Sequence, residues 1–281
     1  MRAGKVTGWV LLALLTLQAA CGGALSGGGA QASLPHASAG FNLFSPEQDI
    51  QLGEASAEEI MRQVVVLRDE RTGRYVQRLG ERVASAAPGY KFPYKFVVVA
   101  SPEVNAFALP GGYVFVNEGA VEAAHTEGEL AGVLAHEIAH VSLRHGTTQA
   151  SRAYLARTAM SIINAVAGAG EGDFWHAAAA ACGAGANRFF LRSNRAAELQ
   201  ADAEGARLLA EAGFDPRDMA NFFERLDERE GERADAAGDH PDPASRVEAI
   251  GKVVAELGQS PAPGRDSEDF RRIKSRLSNS R

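Results

Sequence analysis

With 281 residues, 46% hydrophobic and 23% charged, the chain is long enough for one sizeable globular domain with appendages and too mixed for a disordered or fibrous protein. A net charge of -6 and the lack of a basic stripe argue against nucleic acid as a partner.

The N-terminus stands apart. Arg2 and Lys5 are its only charges, and without them 27 basic residues face 35 acidic ones, near -8. An apolar run from about Val6 to Leu17 follows, too short to span a bilayer comfortably and flanked like a secretory signal. An uncleaved anchor is the alternative. Leu17-Gln18-Ala19-Ala20-Cys21-Gly22 resembles a bacterial lipoprotein processing site, although Gln18 departs from the usual aliphatic residue; ordinary signal cleavage nearby is the alternative. Residues 1–21 are therefore expected to be a signal peptide ending in a lipid-anchored Cys21. Cys182 is then the only other thiol, which leaves no intrachain disulfide, and its Ala-rich surroundings suit a small buried apolar residue. Residues 22–40, rich in Gly, Ala and Ser, read as a flexible tether that includes His36.

Folded sequence is expected over residues 41–260. Ser45-Pro46-Glu47-Gln48 has the form of a helix start, with Ser as cap, Pro at the first helical position and Gln three residues after the cap; the helix should reach about Val66. A second helix is expected from Arg74 to Ala86. Three strands are expected at Tyr94–Ala100, Asn105–Leu109 and Tyr113–Val116, the last two broken by Pro110-Gly111-Gly112. The remainder reads as helix, interrupted at Gly213-Phe214-Asp215-Pro216 and by a charged loop from Asp227 to Asp242. Residues 261–281 read as a polar, peripheral tail.

The chemistry centres on His136-Glu137-Ile138-Ala139-His140. Thr126 and Glu129 form a capping-box pattern that opens the helix, and Gly146 is placed to end it. Residues four apart share a helical face, so His136 and His140 can offer two imidazoles to one ion. Glu137, about 100° round from His136, stands near the ion without competing for it, where it can take a proton from water at the metal. A third ligand is sought in Glu198-Leu199-Gln200-Ala201-Asp202. Glu198 and Asp202 are again one turn apart, so Glu198 can bind the ion while Asp202 accepts the free N–H of a ligand histidine and fixes its tautomer.

These elements resemble the gluzincin metallopeptidases of family M forty-eight, which include HtpX, the CAAX prenyl endopeptidase and the BepA-like proteases. The matching residues are His136, Glu137 and His140; Glu198, Ala201 and Asp202; Asn105 to Gly112; and His240, Pro241 and Arg246. The resemblance runs from about Phe41 to Leu257 and implies an α+β, mainly helical zincin-type domain with a small sheet beside the active-site helix. It implies one Zn2+ per chain, held by His136, His140 and Glu198, with Glu137 as base. It also implies a strand flanking the cleft. Asn105, Ala106, Phe107, Ala108, Pro110, Gly111 and Gly112 are the candidate substrate-binding residues, since an edge strand can take up an extended peptide by backbone pairing. His240 and Arg246 are candidates for stabilising the oxyanion, and His240 alternatively for filling the open metal position at rest.

The expected member is a compact lipoprotein type, without the tetratricopeptide repeats of BepA-like proteins or the membrane helices of HtpX. Its expected activity is endopeptidase cleavage of misfolded or unassembled envelope proteins. Gly22 after Cys21 favours a periplasm-facing outer-membrane lipoprotein, with a soluble periplasmic enzyme as the alternative. The competing function is an envelope chaperone or assembly factor with a latched zinc site. His145, about 180° round a continuous helix from His136, is assigned to the helix C-terminus, away from the ion. The Ala/Gly-rich stretch from about Ala165 to Ala186, with His176, is expected to be a helix pair or a cover over the cleft.

Overall fold

A computed structural model describes residues 36–37, 40–166, 195–231, 243–258 and 266–279. Cys21, Cys182, His176 and His240 lie outside these residues, as does nearly all of the Ala165–Ala186 stretch.

Helix α1, Pro46–Gln63, opens with the expected capping box: Gln48 N donates to Ser45 Oγ at 3.2 Å, and Ser45 N donates to Gln48 Oε1 at 2.8 Å. Helix α2, Glu70–Ala84, begins four residues earlier than its apolar pattern suggested, because the Asp69 side chain caps it through Arg71 N. Its Tyr75, Val76, Leu79 and Val83 are buried in the main core.

The sheet comprises β1 (Lys95–Val99), β2 (Ala106–Ala108) and β3 (Tyr113–Asn117), in the order β1-β3-β2. β3 is central, parallel to β1 and antiparallel to β2. The outer side of β1 is covered by residues 65–67, with Leu67 N donating to Val98 O and Ala100 N to Val65 O, both at 2.8 Å. β2 forms the other edge. Asn117 N donates to Asn105 O and Leu109 N to Tyr113 O. By the antiparallel alternation, Phe107 also faces β3, and Ala106 and Ala108 direct their N–H and C=O groups outward.

The turn between β2 and β3, Pro110–Gly112, is packed against α1. Gly111 has φ 80°, and a side chain at Gly53 or Gly111 would strike backbone across this contact. These glycines thus serve close packing as well as the turn.

Helix α3 is Glu118–Ala123 and helix α4 is Glu127–Ser142; α4 runs through the centre of the molecule with almost every residue buried. Thr126 Oγ1 accepts from Glu129 N at 3.1 Å as expected, but the Glu129 carboxylate reaches His125 N rather than Thr126 N. The helix stops before Gly146. Arg144 takes the left-handed conformation, φ 55°, and a new helix α5, His145–Val166, starts at once. A left-handed non-glycine residue costs roughly 1–2 kcal/mol. Arg144 has compensation, since its Nε donates to Asp49 Oδ2 at 2.7 Å and its Nη2 to Phe44 O at 2.6 Å.

Helices α6 (Arg195–Glu211) and α7 (Arg217–Gly231) pack on α4, and α8 (Pro243–Leu257) packs on both α6 and α7. Gly205 of α6 lies against α4, where a Cβ would sit 3.1 Å from His136 N, so the missing side chain lets the two helices approach closely. The break at Gly213 is present, with φ 80°. The charged stretch expected to be loop from Asp227 is still helical up to Gly231.

Two peripheral expectations are corrected. The C-terminal segment contains helix α9, Glu268–Asn279, whose Phe270, Ile273 and Leu277 recur along one face and are buried in the main core. His36, read as part of a tether, is pinned to the core: its Nδ1 is 2.6 Å from Oε1 of the fully buried Glu204, and Ala37 N donates to the other oxygen at 3.1 Å. No helix among the described residues is long and apolar enough to cross a membrane.

Candidate metal centre

His136 and His140 lie one turn apart on α4, and Glu198 approaches from α6. The two Nε2 atoms are 3.1 Å apart. Glu198 Oε2 is 3.4 Å from His136 Nε2, and Glu198 Oε1 is 3.3 Å from His140 Nε2. Ligands at about 2.0–2.1 Å from a tetrahedral zinc-sized ion stand about 3.3 Å from one another, so the spacing fits such an ion. Among the described residues these three form the one His/Cys/Asp/Glu group placed to hold a metal. The donor set is chemically apt as well: two imidazoles and a carboxylate, two of the three buried, turn lone pairs toward a common point.

His136 is held from behind. Its Nδ1 is 3.0 Å from Asp202 Oδ1, one turn after Glu198. That contact favours the imidazole hydrogen on Nδ1, so that the Nε2 lone pair can serve an ion bound at that point. Asp202 is in turn clamped by Arg246 of α8, with Nε 3.0 Å from Oδ2 and Nη2 2.8 Å from Oδ1. The guanidinium lies 3.6 Å over the Phe223 ring, and the same ring meets His136 edge-on.

The local field favours positive charge at the ion point. Burial and Arg246 push the His136 pKa down, but the carboxylates of Asp202 and Glu198 outweigh them and lift it to about 9. Burial acts to raise the Asp202 pKa, yet His136 and Arg246 hold it at about 2. A cation between the imidazoles and Glu198 meets the same attraction.

Glu137 is buried on α4 next to His136 and is not among the three converging ligands. Arg246, expected near the oxyanion, is instead buried with its Nε and Nη2 directed to Asp202, because α8 packs against α6. Ala106–Ala108 lie in β2, which packs on α4. Asn105 sits just before β2, Pro110 and Gly111 lie at the α1 contact, and Gly112 lies against Pro93 and Tyr94.

Sequence reasoning missed three neighbours. His145 Nδ1 is 3.0 Å from His140 Nδ1, and its Nε2 is 3.3 Å from Gln200 Oε1. The assignment of His145 to the helix end, away from the site, assumed one continuous helix; the left-handed Arg144 folds it back onto His140. Burial and the adjacent His140 push the His145 pKa down to about 3. Phe223 was the third, and nothing local in the sequence marks it out.

Two helices thus supply an ion site of the kind that metal-dependent peptidases require, and that is the class this fold and site define. The family model described as Peptidase family M48 matches residues 70–254, and the chain belongs to that family. It is similar to the putative beta-barrel assembly-enhancing protease of Vibrio cholerae, 36% identical over 186 residues, which cover 64% of this chain and 38% of that protein. It is similar to the beta-barrel assembly-enhancing protease of Escherichia coli (strain K12), 30% identical over 248 residues, covering 85% of this chain and 50% of that protein. The mitochondrial metalloendopeptidase OMA1 of Schizosaccharomyces pombe is 31% identical over 194 residues, covering 66% of this chain and 54% of that protein. The chain spans about half the length, or less, of these curated relatives.

Proposed function

We propose that this chain is a zinc-dependent endopeptidase of the bacterial envelope that cleaves misfolded or unassembled envelope proteins. The observation that carries the reading is the convergence of His136, His140 and Glu198, with Glu137 beside them on the same buried helix. Zinc, when bound there, supplies an acidified water and a polarised scissile carbonyl. Glu137 takes the proton of the attacking water on its carboxylate and passes it to the leaving amine nitrogen. Asp202 keeps the His136 hydrogen on Nδ1, and Arg246 holds Asp202 in place. This assigns Arg246 a positioning role in preference to contact with the oxyanion.

An extended substrate adds to the outer edge of β2, where Ala106 and Ala108 direct backbone N–H and C=O groups. Asn105 and Phe107 bond inward to β3, Pro110 and Gly111 brace the strand against α1, and Gly112 packs against Pro93 and Tyr94. Backbone pairing tolerates many sequences, which suits unfolded polypeptides. The names of the similar proteins, which speak of beta-barrel assembly, point to outer-membrane proteins as a substrate class. Residues 1–21 act as the signal, Cys21 as a lipid anchor facing the periplasm, and His240 as either an oxyanion donor or a plug at the open metal position.

Envelope proteins captured by Glu137→Gln in cells and cut by the wild type in purified form test the reading. Failure of the wild type to cut any unfolded polypeptide while binding zinc would favour the chaperone alternative.

A further inference from the structure

His136 and His140 receive different support. His136 faces the charged Asp202–Arg246 pair. On its Nδ1 side His140 meets His145, whose own remaining nitrogen meets Gln200. We propose that His145 is a positioning residue for the metal centre: as a neutral imidazole it accepts the His140 Nδ1 hydrogen and relays the bond to Gln200.

The tautomers follow from connectivity. His140 Nε2 points at the place where Glu198 and His136 converge, and an ion bound there takes its lone pair, so the hydrogen sits on Nδ1. His145 Nδ1, 3.0 Å away, must therefore accept. The His145 hydrogen then lies on Nε2 and points to Gln200 Oε1. The two rings meet at 77° with centroids 4.9 Å apart, so His145 fixes both the hydrogen and the plane of His140. Gln200 follows Glu198 by two residues on α6, so the relay links α4, the start of α5 and α6 at the ion point. A neutral acceptor orients His140 without adding a second carboxylate charge beside Asp202, and so preserves the electrophilicity of a bound cation. Arg144 makes this possible, since its left-handed backbone, held by Asp49 and Phe44 O, turns the chain so that His145 meets His140.

This inference rests on the proposed zinc site. The test measures the zinc dissociation constant by chelator competition, and the absorption spectrum with cobalt in place of zinc, for the full chain. Variants are His145→Leu, His145→Asn, Gln200→Ala and the pair of His145→Leu with Gln200→Ala. His145→Leu should weaken zinc binding about 10–100-fold and alter the cobalt spectrum. His145→Asn, which can place an amide oxygen near the Nδ1 position, should recover most of the affinity. Gln200 is exposed, so its removal should leave the fold intact and cost a few-fold in affinity. That loss should vanish in the His145→Leu background, because the relay is already cut. Wild-type affinity and spectrum in His145→Leu would overturn the proposal, as would fully additive losses in the pair. If His145→Leu does not fold, His145→Asn and Gln200→Ala decide. Zinc binding by His145→Asn as weak as that of a ligand deletion, or no effect of Gln200→Ala, overturns it. A wild type that binds no zinc would instead defeat the proposed function.

Discussion

Arg246 and Asp202 form a two-point clamp, with Nε 3.0 Å from Oδ2 and Nη2 2.8 Å from Oδ1, and the same Oδ1 lies 3.0 Å from His136 Nδ1. Arg246 Nη2 also stands 3.1 Å from His136 Nδ1, so the guanidinium acts on the ion site both directly and through the Asp202 carboxylate. Both partners are buried, so removing Arg246 leaves the Asp202 charge with only His136 to offset it. Breaking such a pair costs about 3–5 kcal/mol. We expect Arg246→Met to lower unfolding free energy by an amount of that order and to weaken zinc binding. Arg246→Lys should recover only part, since an ammonium cannot bond two carboxylate oxygens in parallel. Urea unfolding and chelator competition measure the two effects.

Asp202 gives an acid dependence as well, through its contacts with His136 and Arg246. Asp202 is held at about 2, below its ordinary 3.8. A depressed carboxylate contributes stability that is present above the unfolded value, and the contribution is lost as pH falls from about 4 through about 2. For the metal-free protein this is on the order of 2 kcal/mol. Asp202→Asn should remove that part of the acid-induced loss, seen as a flatter stability profile below pH 4.

Glu137→Gln is expected to retain zinc and the wild-type melting temperature while losing about 10²–10⁴-fold in peptide hydrolysis, because an amide cannot accept the proton of the attacking water. Metal content and turnover on an unfolded protein, measured together, check it. Loss of zinc along with activity would make Glu137 a ligand or a structural residue instead.

Helix α4 was readable in the sequence because its signals are local: a Thr126 cap, a buried run and two histidines one turn apart. Glu198 and Asp202 were readable for the same reason, and the packing of their helix on α4 brings Glu198 to His136 and His140 as a possible metal-binding group. The supporting residues were not. His145 depends on the backbone conformation of Arg144, which no residue pattern announces; an arginine is an unusual occupant of the left-handed region. Phe223 and the partner of Arg246 depend on how α7 packs on α4 and α8 on α6. Helix α9 was hidden because three apolar residues are diluted by charge, and only the surface they meet makes them a core face.

Gly53 tests the brace between α1 and the turn after β2. A methyl group there would fall within the van der Waals shell of Pro110 O, a backbone atom that cannot rotate away. We expect Gly53→Ala to destabilise by about 1–3 kcal/mol, the range for overpacking, despite the better helix propensity of alanine. Gly73, on α2, has open space around it, so Gly73→Ala should be neutral or stabilising. The contrast in melting temperature separates packing from propensity. If β2 also binds substrate, Gly53→Ala should raise KM more than it lowers kcat.

Asp218 gives a second pH dependence, of opposite sign. It lies in the first turn of α7, where burial and the neighbouring carboxylates of Asp215, Glu129 and Asp266 lift its pKa to about 6, against an ordinary 3.8; Arg217 opposes the rise only in part. A raised carboxylate binds its proton more tightly in the folded state than in the unfolded one. The folded protein is therefore favoured as pH falls, and the advantage is lost between about pH 4 and pH 6, where the unfolded chain has already released the proton. At neutral pH the ionised Asp218 is a net cost. Partial exposure and solvent screening reduce that cost to about 1 kcal/mol. Asp218→Asn should thus stabilise the protein by about that amount at pH 7.5, and the gain should fade toward zero below pH 4, where the wild-type carboxyl is protonated in both states. Thermal unfolding of the two proteins across this range, in the same buffer and at the same zinc occupancy, reads the difference directly. A gain that persists unchanged at pH 3.5 would assign the effect to the amide itself and remove Asp218 ionisation as its cause.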